Sequence, residues 1–273
     1  MNTKYILILL FSTILYSCQD VIELELNETD VKPVIVGAIS DVSGNIQISI
    51  TQSAEFYDNS LPTSLSNADV SISDDKGVTV SLAENTNGIY QTNELDGQLG
   101  ESYTLEVIIE GSTYQATAMI PQTKISIDSI AFEFEEESIF RKEGFFPIVY
   151  YNDPVDEVNY YRFIAKVNGQ AFDFTWEDDE EDPDLATAIL LSSDKFSNGG
   201  LQDFDFNYHL KSGDIFTVEM QHLDRSTFDY LRTLSDVGSG AGVAPADPIS
   251  NFGTDALGYF GAFSSTTLTA TVP

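Results

Sequence analysis

The sequence predicts an all-β fold: an immunoglobulin-like or prealbumin-like β-sandwich followed by a second β-rich domain with one short helix. Three observations carry this prediction. Short runs rich in Val, Ile, Thr and aromatic residues recur at the spacing of a sandwich, turn clusters of Asp, Asn and Gly separate them, and only one stretch shows a helical period. The chain has the material for hydrophobic cores, with 273 residues of which 42% are apolar and 12% aromatic. One cysteine makes no internal disulfide and two histidines make no His-rich metal centre, so packing must hold the fold.

In chain order, residues 1–17 read as a secretion signal. Lys4 precedes the apolar run Tyr5–Phe11, a second apolar pair follows at Ile14-Leu15, and the small residue Ser17 stands before Cys18. The apolar stretch is shorter than the roughly 20 residues a membrane-spanning helix needs. The only cysteine, directly after Leu15-Tyr16-Ser17, resembles the lipobox of bacterial lipoproteins, with Tyr16 where a small residue is usual. In that pattern the Cys18 sulfur receives a diacylglycerol, cleavage exposes its amine, and the amine is acylated in turn. Two or more acyl chains make a stable anchor. Residues 18–32 then read as a lipidated tether and first strand, because Ile22, Leu24 and Leu26 alternate with Glu23 and Glu25. Acids so close behind the lipid also resemble the signals that send some Bacteroidota lipoproteins to the cell surface.

Residues 33–122 read as the sandwich domain. Val34–Ile39 is a buried run, and over Asn45–Thr51 the residues Ile46, Ile48 and Ile50 share one face while Gln47 and Ser49 take the other. Ala68–Ser73 meets the turn cluster Asp74-Asp75-Lys76-Gly77 and reverses into Val78–Leu82. A further hairpin joins Tyr103–Ile109 to Thr113–Met119 through Gly111-Ser112, and Pro121 ends it. The domain comes to about seven strands.

Residues 123–273 form the second region. Its expected strands are Ile125–Phe134, Phe145–Tyr151, Tyr160–Val167, Ala171–Trp176, Phe204–Leu210, Asp214–His222 and Gly258–Thr269. The helix lies over Asp224–Leu234, where Phe228, Leu231 and Leu234 fall at helical spacing and Ser226 with Asp229 makes a capping box. Gly238-Ser239-Gly240-Ala241-Gly242 and Pro245-Ala246-Asp247-Pro248 are a long loop returning to the last strand. There Gly258 and Gly261 flank Tyr259-Phe260, a pattern that permits a tight backbone path where two large rings enter a core.

Several of these stretches, taken in order, carry a resemblance. They are Cys18 followed by Ile22–Leu26, the Gly100–Leu105 approach to a strand, Asn159–Phe163, the Phe228–Leu234 helix, and Ala256–Ala262. The set is similar to the Bacteroidota lipoproteins grouped as domain of unknown function 4249, over nearly the whole mature chain. That resemblance implies an outer-membrane lipoprotein with a sandwich domain before a second β-rich domain, often encoded beside TonB-dependent receptors. It brings no catalytic residues.

Charge narrows the function further. With 12 Lys+Arg against 44 Asp+Glu the formal charge is -32, a field that repels phosphate backbones and argues against nucleic-acid binding. The densest acidic stretch, Trp176–Asp184, offers Asp178, Asp179, Glu180, Asp182 and Asp184 as oxygen ligands for Ca²⁺, although its spacing matches no defined calcium loop. The competing reading is a solvated acidic loop. Glu133 and Glu135–Glu137 form a second, smaller acidic run, and the alternation around Phe204, Phe206 and Tyr208 lacks the glycine an EF-hand requires. His209 and His222 are the only imidazoles, with no His-Glu-x-x-His helix, no Gly-x-Ser-x-Gly elbow and no phosphate-cradling loop. No catalytic residue is assigned, and no cofactor is expected beyond the lipid on Cys18. Asp128-Ser129-Ile130 resembles the short acceptor for O-linked glycans on exported Bacteroidota proteins, which marks Ser129 as a modification candidate. The expected function is that of a non-catalytic accessory lipoprotein of the outer membrane, on the cell surface rather than the periplasmic face, docking on a TonB-dependent receptor or other β-barrel. A surface glycan or peptide binder using Tyr and Phe rings is the alternative, and a hydrolase the third reading.

Overall fold

Period-two alternation builds the first half of the fold as expected. A computed structural model describes residues 31–42, 44–53, 61–139, 142–155, 157–171, 189–238 and 247–273. Residues 33–119 make seven strands: β1 (Pro33–Ser40), β2 (Ile46–Gln52), β3 (Asp69–Asp74), β4 (Thr79–Thr86), β5 (Ile89–Thr92), β6 (Ser102–Ile109) and β7 (Ser112–Met119). In β2 the inward face is Ile46, Ile48 and Ile50, all buried. The β3–β4 turn is tied by Asp74, whose Oδ1 accepts from the backbone N–H of Lys76 and of Val78. At the β6–β7 hairpin Glu110 and Gly111 both take positive φ, the pair of left-handed residues that a tight two-residue turn needs.

The second half adds β8 (Ile127–Glu135), β9 (Gly144–Asp153), β10 (Tyr160–Val167), β11 (Gln170–Ala171), β12 (Leu190–Ser193), β13 (Gly200–Asp205), β14 (Ile215–Leu223), the helix α1 (Arg225–Gly238) and β15 (Leu257–Thr271). The class is all-β, with one helix among the described residues. Eleven strands form one path in the order β11-β10-β14-β15-β1-β2-β5-β4-β3-β6-β7, with β12 also on β10, while β13-β9-β8 make a separate three-stranded sheet.

The last strand closes on the first. β15 runs parallel to β1, from Val34 opposite Leu257 to Ser40 opposite Phe263, and β15 also packs against β7 and β8. Gly258 makes this approach possible, because at its φ of 92° a Cβ would lie 2.1 Å from the Ile35 carbonyl oxygen. The first core therefore takes Phe252, Ala256, Phe260 and Ala262 from the end of the chain, beside Ile35, Ile48, Ile72, Leu105 and Val107. A second core gathers Val149, Tyr151, Tyr161, Phe163, Phe206, Phe216 and Met220, and a third joins Tyr230 and Leu231 of α1 to Leu223.

Three local expectations change. The strand placed at Phe204–Leu210 runs instead from Gly200 to Asp205, because the residue opposite Phe206 is Pro147, whose carbonyl accepts the Phe206 N–H at 2.9 Å but which has no N–H to return, while Phe206 is buried in the second core. The helix is capped by Asp224 rather than by a Ser226–Asp229 box: Asp224 Oδ1 accepts from the Thr227 N–H at 3.3 Å and from the Thr227 hydroxyl, while the Ser226 hydroxyl donates to Asp224 Oδ2. A carboxylate one residue before the first turn accepts from three donors at once, so Ser226 serves it instead of acting as the cap. Of the strand expected at Ala171–Trp176 only Ala171 lies within the described residues, as the end of β11.

Candidate functional site

Titratable side chains gather where β9 ends, β10 begins and β12 turns toward β13. Along β10 the residues Tyr161, Phe163 and Ala165 face the second core, which leaves the Tyr161 hydroxyl as the polar group that must find a partner at the end of the strand. It donates to Asp153 Oδ1, the last residue of β9. The other Asp153 oxygen accepts the Gly199 N–H at 2.8 Å. Just after β12, Asp194 Oδ1 accepts the Asn159 N–H at 2.7 Å, its Oδ2 accepts from Asn159 Nδ2 at 3.4 Å, and its own N–H donates to the Asn159 carbonyl at 3.3 Å.

Asp153 is 5% exposed and Asp194 3%. Burial is the main cause that raises the Asp194 pKa above the ordinary carboxylate value; the Asn159 N–H works against it and Asp153 adds to it. Burial also pushes Tyr161 far above its usual range, with Asp153 reinforcing the effect, and moves Tyr151 up to about 12. His222 stacks on Tyr161 with ring centroids 5.4 Å apart, and its Nδ1 lies 3.0 Å from the Thr123 carbonyl. A carbonyl only accepts, so Nδ1 carries the hydrogen, and burial lowers the His222 pKa toward a neutral ring.

This arrangement ties two loops to the sheets. Every named acid oxygen has a donor, and among the described residues no buried side-chain nitrogen or oxygen lacks a partner. What the cluster holds is a pair of loops, 154–159 and 194–199, which between them and the start of β13 expose Val155, Val158, Phe196 and Leu201. Among the described residues, no three His, Cys, Asp or Glu side chains are grouped to hold a metal ion, and no helix is long and apolar enough to cross a membrane.

The residues singled out from sequence fall elsewhere. Cys18 lies outside the described residues, as do Asp178, Asp179, Glu180, Asp182 and Asp184. Ser129 is exposed on β8, an outer strand of the three-stranded sheet, beside a register shift where Asp128 Oδ2 accepts from Asn152 Nδ2 at 2.6 Å. His209 stacks on Tyr208 beside Gly144 at the beginning of β9, whereas His222 belongs with the cluster at the other end of that strand. On the outer face of β3, β4 and β6 a depression of about 260 Å³ is lined by Asp69, Ser71, Ser81, Leu82 and Glu106, without a ring on which a sugar can stack. The Asp153–Asp194 pair is not among the residues singled out from sequence.

A model of the family described as "Domain of unknown function (DUF4249)" matches residues 19–269. The chain belongs to this family. No curated protein matches the DUF4249 chain. Among solved structures it is similar to "Crystal structure of Pullulanase complexed with maltotriose from Anoxybacillus sp. LM18-11", at 11% identity and a TM-score of 0.22, with 68% of this chain and 24% of that chain covered. The DUF4249 chain thus spans about a quarter of that structure's length, and a likeness this low carries no argument about fold or activity.

Proposed function

We propose that this DUF4249 protein is a non-catalytic lipoprotein of the bacterial outer membrane, of Bacteroidota type, that works by docking. Lipid on Cys18 anchors it at the cell surface, and its β-rich body engages a TonB-dependent receptor or another β-barrel. The observation that best supports this reading is the fate of the buried chemistry. Asp153, Asp194, Tyr161 and His222 are all engaged inside the molecule, and what they brace is a pair of loops with exposed apolar side chains. A body that spends its acids on holding a surface in shape is built for recognition. The signal pattern ending in Ser17-Cys18 supports the anchor. Ser129, exposed on β8, is the proposed carrier of an O-linked glycan.

The test is affinity purification of the full lipidated protein from gently solubilised membranes, with mass spectrometry of what accompanies it and Cys18→Ala as the control. One barrel co-purifying in stoichiometric amount with the lipidated protein is the expected result. A protein that runs alone in every mild detergent overturns the docking reading and leaves glycan or peptide binding as the function to examine.

A further inference from the structure

We propose that Asn198 is a self-modification site: the Gly199 nitrogen closes on the Asn198 side-chain amide with Asp153 as general base, and the asparagine is converted to aspartate and isoaspartate. Beyond the chain itself the reaction needs only water, so it does not depend on the docking reading above.

The first ground is the contact between a carboxylate and the attacking nitrogen. Asp153 Oδ2 accepts the Gly199 N–H at 2.8 Å, the reach at which a general base takes a proton. Asp153 is buried and its Oδ1 is held by the Tyr161 hydroxyl, so the base is fixed in place. The flanks of Asn198 are held as well, because Gln202 Nε2 donates to the Ser197 carbonyl at 2.7 Å and to the Gly199 carbonyl at 3.3 Å. A nucleophile fixed beside its electrophile has already met much of the entropic cost of ring closure. The Asn198 side chain is exposed and has no hydrogen-bond partner among the described residues, which leaves its amide carbon free to turn toward Gly199. Glycine at 199 is required by the fold, since its φ is 84° and a Cβ would lie 2.2 Å from Val155 Cγ1. The same missing Cβ leaves the nitrogen open to attack.

The second ground is contrast, because the sequence holds three Asn-Gly steps and the fold treats them differently. At Asn168-Gly169 both ends of the side-chain amide are held: Nδ2 donates to Asp214 Oδ1 at 2.9 Å and Oδ1 accepts the Ile215 N–H at 3.0 Å. At Asn87-Gly88 the glycine is buried, its carbonyl accepts the Ile50 N–H at 2.7 Å, and a Cβ there would lie 2.5 Å from the Ile50 carbonyl oxygen. Ring closure would have to turn that peptide against β2. The Gly88 N–H also meets a carboxylate, Glu84 Oε1 at 3.0 Å, but Gly88 and Asn67 together hold Glu84 below the usual carboxylate range, which makes it a weaker base. Of the three steps, only Asn198-Gly199 joins a free side chain to a buried carboxylate on the next N–H.

Atoms balance in two steps. In the first, the Gly199 nitrogen bonds to Asn198 Cγ while Asp153 takes its proton; that proton passes to the departing Nδ2, the Cγ–Nδ2 bond breaks, and ammonia leaves behind a five-membered succinimide. In the second, water adds to one of the two ring carbonyls and opens the imide, which restores a backbone amide with aspartate or isoaspartate at position 198. The imide nitrogen carries no hydrogen, so at the succinimide stage Asp153 Oδ2 loses its donor and the tie between the end of β9 and the 194–199 loop opens. Isoaspartate then leaves one extra carbon in the main chain, and either product adds a negative charge to the loop.

The experiment incubates the full chain at neutral pH, once folded and once in concentrated urea, and follows the three steps by peptide mass spectrometry that separates aspartate from isoaspartate. The expected result is that Asn198 converts about tenfold faster in the folded chain than in the unfolded one, whereas Asn87 and Asn168 convert more slowly when folded. Asp153→Asn keeps an oxygen for the Gly199 N–H but cannot take its proton, so it should slow Asn198 about tenfold and leave Asn87 unchanged, with a thermal melt to show that the variant is folded. Conversion of Asn198 no faster in the folded chain than in urea overturns the inference, and this comparison decides alone if the variant fails to fold. A folded Asp153→Asn chain in which Asn198 reacts at the natural rate overturns it equally, because the base is then not Asp153.

Discussion

A buried aspartate with a raised pKa makes a sensitive point in a protein held together by packing. Asp194 has a folded-state pKa above its unfolded one, so its contribution to stability is complete below the ordinary carboxylate pKa and is lost as pH rises through the raised folded value. His222 works in the opposite sense: its folded pKa lies below its usual value of 6.5, so its contribution is present above that pH and is lost as pH falls. Asp194→Asn keeps an oxygen for the Asn159 N–H and removes the titration. Its melting temperature, followed across pH 4 to 8 beside the natural protein, should fall less steeply as pH rises; parallel curves would mean that the Asp194 pKa is not raised in the folded protein. Asp153→Ala instead strands the Tyr161 hydroxyl and the Gly199 N–H, at a cost of about 1–3 kcal/mol for each buried donor left unpaired, measurable by urea unfolding. None of this was legible in the sequence. The motifs it offered, the cysteine and the acidic run, lie outside the described residues, while Asp153 and Asp194 stand in turn-like contexts far apart in the chain. Only the pairing of β9 with β13 and of β12 with β10 brings the two aspartates together.

Elements were easier to read than residues, because period-two alternation is a local signal and burial on one face enforces it. Ile46, Ile48 and Ile50 announced β2, and the Phe228–Leu231 spacing announced α1, whose Phe228 ring lies 4.7 Å from Tyr160 and whose Tyr230 stacks 4.5 Å from Tyr259. β5 and β12 have four residues each, too few to show a period, and β13 ends early because Pro147, opposite Phe206, has no N–H to continue the ladder. The helix start shows how a capping expectation fails by two residues: several hydroxyls and carboxylates are adjacent, and only geometry decides which one accepts. Asp224→Ala should destabilise the protein by about 1 kcal/mol, and Ser226→Ala by less, since it removes only a donor to the cap. Equal losses in thermal melts would restore Ser226 as the cap. Gly258→Ala should cost more than either, because its φ disfavours any side chain and the Cβ meets backbone that belongs to β1 rather than a side chain free to move. Loss of protection at the amides of Ile35 and Gly37 in hydrogen exchange would locate that damage.

At the scale of the whole molecule, the change of character near Pro121–Thr123 marks where the first core gives way to the second along the chain, yet the closing strand crosses it. Parallel pairing of β1 with β15 joins residues more than two hundred positions apart, a contact that no local pattern announces and that pays its loop-closure entropy late. Because Phe252, Ala256, Phe260 and Ala262 complete the core that Ile35 and Ile48 begin, residues 33–122 alone would keep β1 as a bare edge with one flank of its core missing. A fragment ending at residue 122 should therefore fail to melt cooperatively and should bind hydrophobic dyes, whereas the full chain, one compact unit from residue 31 onward, should unfold as one body. In the full chain the amides of β1 and of β14 should lose protection at the same urea concentration, since β15 bonds to both. A cooperative, dye-free melt of the fragment, or β14 opening well before β1, would mean that β15 is a passenger on an independent sandwich. The same closure explains why Gly258 must be glycine: the one place where the end of the chain lies against its beginning has no room for a side chain.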